Sequence, residues 1–373
     1  MDFSFTEEQE AVRDLAAQIL DGQLGNDALK AFDKTGEAYD AATWAELAKA
    51  GLLGIALPES AGGADLGFLA AALVLEQVGR TAAPVPYLPT VVLGALPVAE
   101  FGTDAQQAAL LPGVAEGTAL LTAALVEFGT SPTAPTTTAR RDGDGWRLDG
   151  SKLCVPMGLQ ADRILVPAAT GEGAVGVFLV DPSAPGVSQE ALVTTSGQPE
   201  TRLDLDGAVV GADDVLGDPD RGAAIVEWMV ERATAALCVT AIGVCAEALR
   251  LTAEYTKTRE QFDRPIATFQ AVGQRAADAY IDTEAVRLTA WQAAWRLAEG
   301  LPAAESVAIA KFWAAEGGQR VVHAAQHLHG GMGVDRDYPL HRYFLWAKQL
   351  ELTLGGGTQH LLELGRILAD EPV

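Results

Sequence analysis

Between Thr6 and about Glu116, apolar residues recur at helical spacing. Val12, Leu15 and Ile19 mark one predicted face, and Thr6 followed by Glu8 and Gln9 supplies the capping pattern that starts it. The stretch AATWAELAKAGLLGIALPESAGG predicts a helix ending near Gly51, then a short extended piece, Pro58 and a glycine turn. Another helix is expected from about Leu66 to Val78. From about Leu120 to Asp218 the pattern changes, and Thr, Val, Gly and Pro become frequent. ARRDGDGWRLDGSKL places Asp142-Gly143-Asp144-Gly145 between two runs of mixed polarity, a hairpin signal. RILVPAA, VGVFLV and TRLDLDGAVV also read as strands. Short strands joined by turns, with no long helix among them, predict a small antiparallel barrel or sandwich.

Beyond Asp220 the helical period returns. GAAIVEWMVERATAALCVTAIGVCAEALRLTAEYTKTRE contains no proline and is long enough for more than about eight turns. A second helix is predicted from Ala267 to Leu297, opened by Arg264-Pro265, and a third from about Ala303 to His329. Helices of this length pack as an up-and-down bundle. The expected fold is therefore α+β and multidomain: an N-terminal helical domain over 1–119, a central antiparallel β-barrel over 120–220, and a C-terminal four-helix-bundle domain over 221–373.

That order excludes several classes. There is no βαβ alternation and no Walker loop, and GGMG at Gly330 does not match the dinucleotide fingerprint. The net charge of −24, with no cluster of Lys and Arg, argues against nucleic acid as a partner. A hydrophobic content of 49% and a charged content of 20% describe a globular chain. Cys154, Cys238 and Cys245 lack metal-ligand spacing, and an odd, scattered set suits a reducing compartment. The opening MDFSFTEEQE is acidic where a signal peptide is basic, and no uninterrupted apolar run reaches membrane-spanning length. The expectation is a soluble, cytoplasmic protein without a membrane partner.

Three motifs, in order around the strand-rich centre, resemble the acyl-CoA dehydrogenase family over nearly the whole chain. GLLGIALPESAGG (Gly51 to Gly63) is similar to its "G-h-x-P-E-x-x-G-G" turn. TREQFDRPIATFQAV (Thr258 to Val272) is similar to its most specific C-terminal signature, and HLHGGMGVDRDYPLHRYF (His327 to Phe344) to a second. The resemblance implies FAD, and oxidation of the Cα–Cβ bond of an acyl-CoA thioester to a trans-2-enoyl product. In that chemistry a carboxylate takes the α-proton while a hydride leaves the β-carbon, and hydrogen bonds steady the thioester carbonyl.

In the family each FAD is shared between two subunits. The resemblance assigns the set that reaches a neighbour's cofactor to Arg259, Phe262, Gln270, Gly330 and Gly331, with His327 where glutamine is common and Thr358 near the cofactor. Arg259 offers a planar donor fork suited to pyrophosphate, and Gln270 both donates and accepts. The plain structural alternative is that Arg259 ends a helix and Phe262 fills a core. The ring-holding set departs from the pattern. Against "h-x-x-T-E-P-x-x-G-S-D" the chain has LTAALVEFGTSPT, with Glu127 echoing the acid, Val126 replacing the flavin-binding Thr, and the Gly-Ser-Asp lost. Against "G-x-K-x-W-I-T/S-N-G" it has GSKLCVPMG, with Cys154 for the Trp that covers the flavin and Pro156 for the hydroxyl residue near N5. Proline has neither N–H nor hydroxyl to give.

The family's base lies in "Y-E-G-T". In ELTLGGGTQHLLELGR (Glu351 to Arg366) that alignment puts Gly355 at Tyr and Gly356 at the catalytic Glu, while Gly357 and Thr358 keep the "G-T". Glu351 and Glu363 are expected on solvated helix faces. Some members place the base just before an arginine on the first long C-terminal helix, where this chain has Glu231 and Arg232 in an apolar stretch. A solvent- or interface-facing Glu231 is the competing reading. The kept and lost residues together resemble the less catalytic subunit of heteromeric actinobacterial steroid side-chain enzymes, an α2β2 arrangement. The implied partners are a second dehydrogenase-type subunit, an acyl-CoA of the steroid side-chain class, and an electron-transfer flavoprotein. Two alternatives stay open: a self-sufficient dehydrogenase using Glu231, and a non-catalytic acyl-thioester-binding protein.

Overall fold

The computed structural model describes residues 4–370. The described chain divides into two compact units. One contains the residues up to Glu37, Ala72–Ala83 and Thr234 onward; the other contains Ala38–Ala71 and Pro84–Ala233.

The N-terminal helices are α1 (Glu7–Gln23), α2 (Asn26–Phe32), α3 (Ala41–Lys49), α4 (Gly67–Thr81), α5 (Leu96–Phe101) and α6 (Asp104–Ala115). Thr6 caps α1, its hydroxyl accepting from the Gln9 N–H while the Gln9 side chain accepts from the Thr6 N–H. The buried seam of α1 is Val12, Ala16 and Leu20, not the predicted Val12, Leu15 and Ile19, and Leu15 is exposed. The small Ala16 lets this face approach closely, a preference that spacing alone does not reveal. Leu52–Leu57, expected to be extended, is instead a succession of buried turns, with the Leu57 N–H donating to Gly54 O.

The middle strands are β1 (Leu121–Ala123), β2 (Thr138–Asp142), β3 (Gly145–Pro156), β4 (Arg163–Gly171), β5 (Ala174–Val180), β6 (Val187–Leu192), β7 (Glu200–Val210) and β8 (Val215–Leu216). They form one eight-stranded sheet in the order β6-β7-β3-β2-β4-β5-β8, with β1 on β4. Asp142 pairs with Gly145 across a two-residue turn at Gly143 and Asp144, as the Asp-Gly pattern predicts. The sheet is mostly antiparallel, but β1 and β2 each run parallel to β4, a departure from the all-antiparallel expectation. Its core holds Trp146 edge-on to Phe178, with Leu148, Ile164, Val166 and Leu203 fully buried.

The C-terminal helices are α7 (Gly222–Thr258), α8 (Gln270–Ala298), α9 (Ala304–His329), α10 (Leu340–Leu352) and α11 (Gly357–Asp370). Helix α8 starts later than the predicted Ala267. Arg264–Pro265 does not open it but forms strand β10, paired with β9 (Glu260–Gln261). The reason is local: a residue before proline is held extended. Helix α7 also corrects the reading of membrane-spanning length. By length and composition it could cross a bilayer, but 72% of its most apolar window is buried inside the fold. Where α4 and α7 meet, two glycines remove the side chains. A Cβ on Gly79 would lie 2.0 Å from Thr240 O, and one on Gly243 2.0 Å from Glu76 O.

Candidate functional site

Helix α7 ends at Thr258, and the chain then makes the small β9–β10 ribbon. The two turn residues, Phe262 and Asp263, have φ of 55° and 64°. Asparagine and glycine suit such a turn, and a bulky aromatic there is an outlier. Phe262 is 86% exposed, so it does not fill a core as the plain reading had it. Its ring meets Phe269 edge-on at 6.2 Å, and the Arg264 guanidinium lies 4.1 Å over that same Phe269 ring. Neither Arg264 nor Phe269 was assigned a role at the site from the sequence. Arg259 is fixed through its backbone, its N–H donating to Tyr255 O and its carbonyl accepting from Ile266. Among the described residues its exposed guanidinium has no ion-pair partner.

Gln270 is the exposed first residue of α8. Directly after it, Ala271 enters a groove of about 590 Å³ lined by Gln274, Arg275 and Asp278 of α8 and by Arg320, His323 and His327 of α9. The fold thus brings the start of α8 and His327 together, although they are far apart in sequence. At the end of α9, His329 is buried: Nδ1 lies 2.8 Å from Ala325 O, Nε2 3.2 Å from the Tyr338 hydroxyl, and the ring stacks on Tyr255 at 4.3 Å. Burial lowers its pKa, so the ring is neutral and structural. It fixes the turn that leaves Gly330 and Gly331 exposed, with open space where their Cβ atoms would be.

The loop between α10 and α11 is Thr353-Leu354-Gly355-Gly356 and contains no carboxylate. Gly355 has φ 100°, which demands glycine, and a Cβ on Gly357 would meet Glu316 Oε1 at 2.8 Å. Gly356 is under neither constraint; its Cβ would meet only Glu351 O, at 3.9 Å. Thr358 is exposed in the first turn of α11. Glu363 is solvated and pairs with Arg366, as expected. Glu351 is not: its carboxylate is mostly covered and held by Lys348 at 2.6 Å.

In the other unit, the remnants of the two strand motifs meet each other. Lys152 Nζ donates to Glu127 Oε1 at 2.6 Å, and both side chains are buried. The Thr136 N–H (2.6 Å), the Thr136 hydroxyl and the Thr137 N–H (3.1 Å) also donate to this carboxylate. Burial works against its charge, but the hydrogen bonds from Lys152, Thr136 and Thr137 outweigh it and hold the pKa at about 2. The echoed acid is thus a structural anchor, and its partner was not foreseen. Of the neighbouring positions, Val126 joins Leu153 by backbone alone. Cys154 has φ 50°, and burial and Glu200 push its thiol up to about 11. Pro156 offers no N–H, and its carbonyl already accepts from the Thr122 hydroxyl at 2.7 Å. This strand end does not fit a flavin ring: Pro156 cannot donate to it and Cys154 cannot cover it.

Glu231 and Arg232 lie in the first turns of α7, also in this unit. Burial raises the Glu231 pKa, Arg232 lowers it, and the nearby Glu227 raises it further. The Arg232 guanidinium sits 3.8 Å over the Trp228 ring, which meets Phe101 edge-on.

The N-terminal, middle and C-terminal domain descriptions of acyl-CoA dehydrogenases match residues 6–118, 126–206 and 220–368. The chain is 44% identical to the acyl-CoA dehydrogenase FadE27 of Mycobacterium tuberculosis over the full length of both. It superposes on a chain of the solved ChsE4-ChsE5 complex of Mycobacterium tuberculosis with a TM-score of 0.94, 44% identity and full coverage of both. A chain of the Tcur3481-Tcur3483 steroid ACAD gives a TM-score of 0.90 at 48% identity, with 98% of each covered.

Proposed function

The chain belongs to the acyl-CoA dehydrogenase family, and we propose that within it this protein is the partner-type subunit of a heteromeric, FAD-dependent enzyme. It lends residues to a cofactor whose ring is held by a second, different subunit. The observation that carries this reading is Phe262, strained and exposed three residues after Arg259, which has no ion-pair partner among the described residues. A conformation that costs about 1–3 kcal/mol is kept where the side chain serves something outside the local fold. Arg259 would hold the pyrophosphate, Phe262 would pack on the cofactor, and Gln270, His327, Gly330, Gly331 and Thr358 would complete the contact. Bound FAD supplies the acceptor for the hydride leaving the substrate β-carbon. Gly356 cannot take the α-proton, so the second subunit would supply the base. The heteromeric ChsE4-ChsE5 complex supports this arrangement, and the description of Tcur3481-Tcur3483 as a steroid enzyme supports a steroid side-chain CoA as substrate. A cytoplasmic setting and an electron-transfer flavoprotein as acceptor complete the reading.

One observation favours a second reading: the raised pKa of Glu231 beside a fixed Arg232 is what a base of its own would need. The FAD-to-chain ratio separates the two. Alone, the partner-type chain should be colourless; co-expressed with a catalytic dehydrogenase subunit it should give a yellow complex with fewer FAD than chains, indifferent to Glu231→Gln. A yellow protein on its own, whose bleaching by acyl-CoA disappears with Glu231→Gln, would establish the second reading instead.

A further inference from the structure

Lys311, in α9, is fully buried yet forms no ion pair among the described residues. Its Nζ donates to Leu350 O at 2.8 Å and to Glu351 O at 3.0 Å. These carbonyls belong to the last turn of α10, where helix carbonyls lack partners and the helix dipole favours a cation. The loop they lead into is held from its other side by His360 of α11, whose Nε2 lies 2.9 Å from Leu354 O. Leu354 and Gly355 both have positive φ, and three successive glycines lose much conformational freedom when fixed. Such a loop keeps one arrangement only if its surroundings impose it.

We propose that Lys311 is a positioning residue whose ammonium pins the end of α10 and thereby the glycine loop and Thr358. The proposal rests on the reading of Thr358 as a cofactor contact. The groups facing Lys311 are Cys238 of α7, Glu351 of α10 and His360 of α11. Cys238 is pushed up to about 12 by burial, and the Glu351 carboxylate is engaged by Lys348, so neither neutralises the ammonium. Burial pushes Lys311 down to about 8, so the pin weakens just above neutrality as the ammonium becomes a weaker-donating amine. The effect on global stability has the opposite sign. From about pH 8 to the ordinary 10.5 the unfolded chain binds more protons at this site than the folded one, so this group makes stability rise with pH.

Hydrogen exchange on the co-expressed complex tests this. After correction for intrinsic exchange rates, the amides of Thr353, Gly355 and His360 should lose protection by about tenfold above pH 8, the effect of weakening one charge-assisted hydrogen bond. Elsewhere protection should hold. In Lys311→Met the same amides should be loosened at every pH, and FAD should dissociate about tenfold faster at pH 7. Loop protection independent of pH in the wild type overturns the proposal, as does a loosened loop with unchanged FAD retention. If Lys311→Met does not fold, the wild-type pH series decides alone. A wild-type complex that never retains FAD refutes the functional reading instead, while the exchange data still report on the pin.

Discussion

Phe262 occupies a backbone conformation that asparagine adopts readily. Phe262→Asn should therefore stabilise the free chain by up to about 1 kcal/mol in urea unfolding while speeding FAD loss from the complex. A destabilised variant with intact FAD retention would contradict the role given to this ring. Glu127 and Lys152 show the reverse economy, since each is buried and each satisfies the other. Removing one partner strands a buried charge, so Lys152→Met should cost about 3 kcal/mol by calorimetry. The pH dependence follows from Glu127. Its pKa of about 2 lies below the ordinary 4.5, so its contribution is fully present above pH 4.5 and disappears as pH falls toward 2. Urea titrations should show that loss in the wild type and a flatter acid limb in Glu127→Gln.

At the scale of elements, the crossing of α4 and α7 depends on absent side chains. Alanine for Gly243 raises helix propensity by about 1 kcal/mol but drives a methyl group into the Glu76 carbonyl. The clash should win, and Gly243→Ala should lower unfolding free energy by about 2 kcal/mol. Helix α7 illustrates the same dependence on neighbours. It is apolar enough for a bilayer, and packing against other helices of the fold is what covers it. The β9–β10 ribbon and the α10–α11 loop are the short connections that present candidate residues. Each is pinned from a long helix: Arg259 by backbone bonds at the end of α7, and the glycine loop by Lys311 of α9.

For the whole molecule, the proposed reading assigns different parts of the cofactor chemistry to the two compact units. The unit with the C-terminal helices holds every residue proposed to reach the cofactor, all of them exposed. The unit with the sheet holds the strand end where Pro156 and Cys154 replace a ring site. On that proposal the chain functions in an assembly with an unlike subunit. Size-exclusion chromatography with flavin absorbance should find FAD only in the mixed assembly. A flavin-loaded assembly of this chain alone would count against it.

Periodicity determined the element types and their order because it records which face each residue must bury, a local property. That Pro156 has no N–H and Gly356 no carboxylate was likewise legible, since each is a fact of residue type. Tertiary structure alone decided which distant residues meet: Glu127 with Lys152, the start of α8 with His327, Lys311 with the end of α10. It also decided that the seam of α1 runs through Ala16, and that Phe262 is strained and exposed rather than buried. These outcomes depend on backbone paths and close packing between segments remote in sequence, and neither is encoded in the spacing of residues along any one of them.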